Sequence, residues 1–511
     1  MSVTLLDGAG VVAAPLPAAA EAEKPAVTQA ADIPSARVAA RLSGERVEAL
    51  SERTETSTTW VNKDGSLTTE LAAGPVRFKD AVTGNWRDVD VELAAQADGS
   101  VAAKSHPKGL TLAGRTGAPA RSLRAAQSAP ATDLVTLGQG DEQITLQWRG
   151  GLPAPKLDGT RATYENALPG ADVVVEATRT GFEQFVEVKA KPEAGFSYTL
   201  PLRTKGLKVQ QQADGSVLFT DKKSKKSAVM PAPVMWDSTV DEVSGEHTRR
   251  AKVAMKVVKT KGGVDLVITP DTDFLTDPAT KYPVTVDPST SSLSNVFDTY
   301  VQQGTTVDWS TDTELDLGNP GTKNADGTYR TARSFISWNT APIADALVMD
   351  AKLSLWNFHS ANYTGSSCPN QPWEVWSTGA ATTTSRWTAQ PSWIAKKATS
   401  SETKGNPSCS TQPDGWINAN VTTLVQEWAS AKAAKSHMGL RASDENITGQ
   451  WKRVNSADAA SNPPKLTVTY NYRPRTGTKQ EAGPPFFSYN GAYVVNTVTP
   501  TLRDTFVDPN G

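Results

Sequence analysis

Residues 332–360 read ARSFISWNTAPIADALVMDAKLSLWNFHS, and residues 368–393 read CPNQPWEVWSTGAATTTSRWTAQPSW. Apolar and polar side chains alternate through both runs, and clusters of Thr, Ser, Gly and Pro interrupt them. Successive side chains of a strand point to opposite faces, so this period of two describes short, half-buried strands. In AKLSLWNF, Leu353 and Leu355 fall on the face turned to a core, with Ser354 and Trp356 on the other. In PWEVW, Trp373 and Val375 share one face, and Glu374 and Trp376 share the opposite one. Ile336 and Trp338 read as core. The pattern predicts a β-sandwich unusually dense in tryptophan.

Working outward, this sandwich is expected to span residues 290–473, which hold ten of the fourteen tryptophans. One helix is predicted inside it, over residues 420–432 (NVTTLVQEWASAK). Val421, Leu424, Val425 and Trp428 stand at i, i+3, i+4 and i+7, behind Asn420 as N-cap. It should plug one end of the sandwich. The closing run PPKLTVTYNY places Leu466, Val468 and Tyr470 on one face.

Residues 56–289 carry the same β texture. Runs such as QITLQW, DVVVEA, FEQFVEVK and VDLVITP are separated by turn signals, among them Arg179-Thr180-Gly181. A sandwich-like N-terminal β domain is expected there, so the fold class is all-β. QADGSV occurs at 96–101 and again at 212–217, and its Asp-Gly predicts a primed hairpin turn. Lys222 to Lys226 read as a solvated hairpin tip. Residues 1–55, rich in Ala, Glu and Pro, are expected to be a leader remnant and disordered linker, a short helix near 33–52 included. Ala18-Ala19-Ala20 before Glu21 resembles a signal-peptide cleavage site, although no basic residue precedes Lys24, so the true start is expected upstream. Residues 474–511 read as a linker and the opening of a further β module.

Composition narrows the function classes. The 511 residues carry a formal net charge of −2 and a mean hydropathy of −0.40. No apolar run is long enough for a membrane span, and nothing draws the chain electrostatically to nucleic acid. Neither partner is expected. The cysteines, Cys368 and Cys409, form one disulfide or remain two buried thiols. Their Pro/Asn/Ser-rich surroundings favour the disulfide, which implies an oxidising compartment outside the cytoplasm.

Catalytic chemistry is sparse. His106, His247, His359 and His437 share no ligand spacing, and GxSxG, HExxH and P-loop sequences are absent. His359 and Cys368 lack an orienting partner for thiol chemistry. Glu183 and Glu187 share a strand face, either as a glycosidase carboxyl pair or as solvated glutamates. Asp308, Asp312 and Asp316, spaced by four, offer oxygen ligands to a structural Ca²⁺ or simply cap turns. The expectation is no catalytic residue, no cofactor and no enzyme. Trp356 and Trp376, if exposed on neighbouring strands, make a platform for a sugar ring; the alternative is that loops or the helix cover them. Trp387 and Trp393 read as loop anchors.

RSFISWNTAPIADALVMDAKLSLW, EVWSTGAATTTSRWTAQPSW, INANVTTLVQEWAS and PPKLTVTY together resemble the DNRLRE domain over residues 295–472. That family is related to carbohydrate-binding module family 96. The resemblance implies a jelly roll of a secreted bacterial protein. The insertion carrying Cys368 and Cys409 departs from the family, so ligand specificity does not transfer. Upstream, TTELAAGPVRFKD, NWRDVDVEL, YENALPGADVVVEATRTGFEQFVEVK and KYPVTVDPS resemble the N-terminal β region of bacterial cell-wall-associated proteins with RHS/YD repeats. That resemblance implies no activity of its own, with repeats and a toxin tip further along. The functional expectation is a non-catalytic extracellular or wall-associated protein whose jelly roll binds polysaccharide or cell-wall glycan. The alternatives are a structural spacer of an RHS/YD-repeat surface or toxin-delivery protein, and a β-sandwich polysaccharide-degrading enzyme.

Overall fold

The strand Ala346–Ser360 is the axis of one sandwich. It pairs antiparallel with Lys465–Tyr472 along one edge, and with Gly415–Asn420 and Lys452–Asn455 along the other. The computed structural model describes residues 27–505, except 194, 224, 262, 289, 293–296, 362–367 and 475–476. The facing sheet runs Phe297–Gln302, Ala332–Asn339, Lys435–Ala442, Trp373–Thr378 and Trp393–Ser400. Ile336, Trp338, Trp373 and Val375 from that sheet meet Leu353, Leu355, Leu466 and Val468 in one core. Trp338 and Trp373 are fully buried, so truncating either to alanine costs about 3–5 kcal/mol. The helix forms over Thr422–Ser430, with Leu424, Val425 and Trp428 buried in the same core. Asn420 accepts a hydrogen bond from the Thr422 N–H (3.1 Å), one residue ahead of Val421, the observed N-cap.

This sandwich does not begin where the tryptophans begin. Beside Lys465–Tyr472 lies Leu67–Ala72, followed by Ser57–Val61, Val47–Ala49 and Gln29–Ala30. The helix Ile33–Ser43 packs under them. Asp32 caps it by accepting from the Ser35 N–H (2.8 Å), and Gly44, at φ 77°, closes it. The linker expected over residues 1–55 is therefore corrected for residues 27–55; the leader at 12–20 lies outside the described residues. Ala36, Ala40, Val47, Val61, Leu67 and Leu71 are too few for a core of their own, but they extend one that already exists.

Between Ala72 and Phe297 the chain leaves to build a second sandwich and then returns. After the hairpin Arg77–Lys79/Trp86–Asp88, an eight-stranded sheet faces an eleven-stranded one. Trp148, Tyr164, Phe182, Val186, Leu200 and Leu266 fill the space between them. The expected strands are found, and the last of this unit is Thr290–Ser292, which pairs with Gly181–Val188 and Lys226–Met230. The unit thus closes at 292 rather than 289. We call it the inserted sandwich and the other the split sandwich. The chain is all-β, with 46% strand and short helices. The QADGSV turns are not primed: only Gly99 (φ 86°) and Gly215 (φ 89°) are left-handed, while Asp98 and Asp214 are not. Each Asp instead accepts from the backbone N–H and hydroxyl of the following Ser (3.0 and 2.6 Å), giving a type I turn closed by a bulge glycine.

Candidate functional site

The two sandwiches interlock through buried polar contacts. The turn after Ala177 pushes Arg179 into the split sandwich, where it donates to the carbonyls of Pro75 (2.8 Å) and Ala459 (3.0 Å), and Thr180 donates to Asp458. From the split sandwich, Trp451 donates to the Ser244 carbonyl (2.9 Å), Arg453 to that of Gly245 (2.8 Å), and Arg330 to those of His247 and Thr248 (3.1 and 2.9 Å).

A cavity of about 230 Å³ opens at this junction. The inserted sandwich supplies Glu183 and Phe185 from Gly181–Val188, Trp236 from Val234–Trp236, Arg250 and Asp287. The split sandwich supplies Tyr300, Glu314, Arg453 and the segment from Val307 to Thr313. Hollows of about 280 and 350 Å³ adjoin it: one shares Arg250, Val307 and Trp309 with it, the other Thr313 and Glu314. Aromatic rings make the walls. Tyr300 and Trp309 stack at 5.2 Å, and Trp236 meets Phe185 edge-on at 6.4 Å.

Carboxyls crowd this space. Glu314 is paired with Arg453 (2.6 Å), and Asp312 accepts from the Tyr300 hydroxyl (3.3 Å). Asp308 accepts the Ser310 N–H (3.1 Å) with Oδ1, while its Oδ2 has no partner. Burial raises Glu183 well above the usual carboxylate range, with repulsion from Asp287 and Asp312 adding to it. Burial likewise lifts Asp308 to about 6 and Asp312 to about 7.

The structure divides the expected pairs. Glu183 and Glu187 do share a face, but Glu187 is bound to Arg161, outside the cavity. The carboxyls that face Glu183 come from other segments. Asp308 and Asp312 line the cavity, whereas Asp316 is fully buried behind Arg453 at 3.9 Å. Among the described residues, no three His, Cys, Asp or Glu side chains converge as metal ligands. Cys368 and Cys409 form a disulfide, with Cα atoms 6.0 Å apart.

Trp356 and Trp376 do not form one platform, because their strands belong to different sheets. Trp356 is half-buried on the outer face and packs edge-on against Trp416 across the strand pair (5.5 Å). Trp376 lies under the Arg441 guanidinium (4.2 Å) and donates to Glu374 (2.7 Å). Arg441 also reaches Trp393 (5.4 Å), and Arg333 lies over Trp393 (5.7 Å) and Trp387 (4.6 Å). The rings and guanidiniums thus alternate as a ladder over the outer face of that sheet. The histidines serve the fold: His106, pulled down to about 4 by burial, bonds the Thr178 carbonyl (3.1 Å). His247 bonds Asp237 (2.8 Å), His359 bonds Val243 (3.1 Å), and His437 bonds Ser337 (2.8 Å).

No family model matches the chain. Among solved structures, the N-terminal domain of the Streptococcus gordonii adhesin Sgo0707 is 7% identical and covers 83% of this chain and 85% of its own. Its TM-score of 0.14 carries no argument about the fold. The chain is 27% identical over 433 residues to the tRNA nuclease WapA of Bacillus subtilis strain 168. It is also 27% identical to the tRNA(Glu)-specific nuclease WapA of Bacillus subtilis subsp. natto, and 26% to the tRNA3(Ser)-specific nuclease WapA of Bacillus spizizenii. Each match covers 83% of this chain and 18% of the relative. The expectation of no enzyme is corrected at the level of the whole protein: the relatives, of which this chain matches 18% each, are all named as nucleases. The same names put tRNA, as the relatives' substrate, against the expectation of no nucleic-acid partner. Over most of its length the chain is similar to proteins named as tRNA nucleases, and it spans about a fifth of their length.

Proposed function

We infer that this chain is a rigid β section of a surface or toxin-delivery protein of the WapA kind, extracellular or wall-associated, that holds the protein's other parts in place. The observation that carries this reading is the match of 83% of the chain to 18% of three tRNA nucleases. Two features of the fold support it. The sandwiches are locked by the contacts of Arg179, Trp451 and Arg453, so they act as one spacer, and the disulfide suits an oxidising compartment. The resemblance to RHS/YD-repeat proteins points the same way.

The test replaces the matched section of the Bacillus subtilis protein with this chain, and in a second version deletes it. Cleavage of tRNA by purified protein is compared with transfer of the nuclease into target cells. Transfer kept by the replacement and lost on deletion, with cleavage unchanged throughout, is the expected result. Cleavage that disappears with the section would place catalysis inside it and overturn the spacer reading.

A second reading, glycan binding by a DNRLRE-like jelly roll, retains Trp356 as its candidate, because that ring is half-exposed beside Trp416. Trp376 is the weaker candidate, since Arg441 occupies its face. Retention on a polysaccharide panel that is lost in Trp356→Ala supports the reading; equal retention by wild type and variant removes Trp356 from it, and no retention of wild type removes the reading itself.

A further inference from the structure

We propose that the cavity between the two sandwiches is a binding site for a positively charged nitrogen group, the ammonium or guanidinium of a basic peptide side chain or of a free amine. The proposal does not depend on the spacer reading, because it rests on buried carboxyls that line a built cavity.

Five carboxyls line the cavity: Glu183, Asp287, Asp308, Asp312 and Glu314. Its two arginines are already engaged, Arg453 with Glu314 (2.6 Å) and Arg250 with Glu246 (3.6 Å). His247 is held neutral, since burial and the neighbouring Arg250 pull it down. Arg386, the cation nearest Asp308 from outside, is bound to Asp214 (3.3 Å) and to the Thr306 carbonyl (2.7 Å). Glu183 is only 9% exposed and lines the cavity, and among the described residues its carboxyl has no hydrogen-bond or ion-pair partner. Asp308 is 6% exposed and keeps Oδ2 without a partner. Buried polar groups are nearly always satisfied, so Glu183, which lines the cavity, and Asp308, whose enclosed Oδ2 has no partner, call for a donor from outside the chain.

Size and walls select the donor. A volume of about 230 Å³ equals about seven to eight waters at ~30 Å³ each, enough for an alkylammonium or guanidinium side chain. Trp236 lines the cavity as an aromatic ring, which attracts organic cations, and the stacked Tyr300–Trp309 pair already holds one guanidinium, that of Arg250 (5.4 Å). A metal ion fits less well, because among the described residues no three ligating side chains converge. An anion would meet acids with no free cation beside them.

The test titrates the intact chain with 1,5-diaminopentane, with a lysine-containing tetrapeptide and with calcium chloride. Tryptophan fluorescence, read through Trp236 and Trp309, is followed alongside calorimetry. Glu183→Gln and Asp308→Asn are compared with wild type and with Glu165→Gln, an exposed acid outside the cavity. Both cavity variants relieve repulsion, so their melting temperatures should hold or rise, which separates lost binding from lost folding. Saturable binding of an amine by wild type, weakened about thirtyfold in either cavity variant and unchanged in Glu165→Gln, is expected. Tighter binding of the peptide assigns the site to a protein side chain; tighter binding of the diamine assigns it to a free amine. Failure of every amine to saturate, equal binding by all variants, or calcium binding that excludes the amines would overturn the proposal.

Discussion

Replacing Arg453 by methionine should expose how the junction is balanced. Methionine keeps an apolar stem against Phe358, whose ring centroid lies 5.3 Å from the guanidinium, but removes the charge. Burial alone would pull the guanidinium down, yet Glu314 and Asp316 hold it above its ordinary value, so the cation is firmly charged in the fold. Its loss leaves Glu314, whose side chain is 15% exposed, without its 2.6 Å partner. Removing one member of a buried pair costs about 3–5 kcal/mol, and the Gly245 carbonyl loses its donor for about 1 kcal/mol more. Partial exposure of the pair argues for the lower end, so we expect about 3–4 kcal/mol at pH 8. Burial already raises Asp312 and Asp316, and Arg453 draws both back down, so its removal lifts them further. A folded value raised above the unfolded one means that stability is lost as pH climbs, so the variant falls further behind wild type at pH 8 than at pH 5. The gap from wild type should therefore narrow by about 1–2 kcal/mol at pH 5. Urea unfolding followed by tryptophan fluorescence at both pH values measures this. Arg453→Met/Glu314→Gln should recover most of the loss, which a double-mutant cycle reads as coupling. A loss below about 1 kcal/mol at pH 8, or an equal loss at both pH values without rescue by Glu314→Gln, would refute the reasoning.

Other measurements reach other parts of the chain. The Cys368–Cys409 bridge closes a loop of 41 residues, so Cys409→Ser should lose about 4 kcal/mol; melts that coincide with and without reductant would contradict this. Asp298, lifted to about 7 by burial, accepts the Ala457 N–H (2.7 Å). Its raised folded value means that stability is complete below the unfolded value and is lost as pH rises through about 7. Asp298→Asn should therefore gain about 2–3 kcal/mol on wild type between pH 5 and pH 8, as read by paired urea melts. In the ladder, Arg441→Ala should cost about 2 kcal/mol, because Trp376 loses its cation, Trp393 keeps only Arg333, and buried Glu374 keeps only Lys396 (3.3 Å). Arg441→Lys should recover little of it, since an ammonium does not stack as a planar guanidinium does; full recovery in denaturant melts would speak against the ladder.

The strands, the helix and the buried tryptophans were readable in advance because their signal is local. Trp338 and Trp373 alternate with polar neighbours, and Leu424, Val425 and Trp428 recur at helical spacing. The assignment of Gln29–Ala72 was not readable, because its partner strand Lys465–Tyr472 stands at the other end of the sandwich. Trp376 looked like surface on its own strand; the arginine that covers it arrives from Lys435–Ala442. Glu183 drew notice from its spacing to Glu187, the wrong neighbour. The acids that matter to it, Asp287 and Asp312, come from separate segments, and only folding reveals that they share a space.

The insertion of one sandwich within the other imposes an order of assembly. Thr68 and Thr469 touch across 401 residues of chain, and closing a loop of that length from a free coil costs about 5 kcal/mol. The inserted sandwich contains all of its own strands and can form first, which shortens the free loop that remains. Until then, Leu67–Ala72 presents an unpaired edge, the kind of surface that invites aggregation. A chain that emerges from its N-terminus must therefore carry an open sheet through most of its synthesis or passage. The split sandwich closes only when Lys465–Tyr472 arrives, so its core is complete only once nearly the whole section is present.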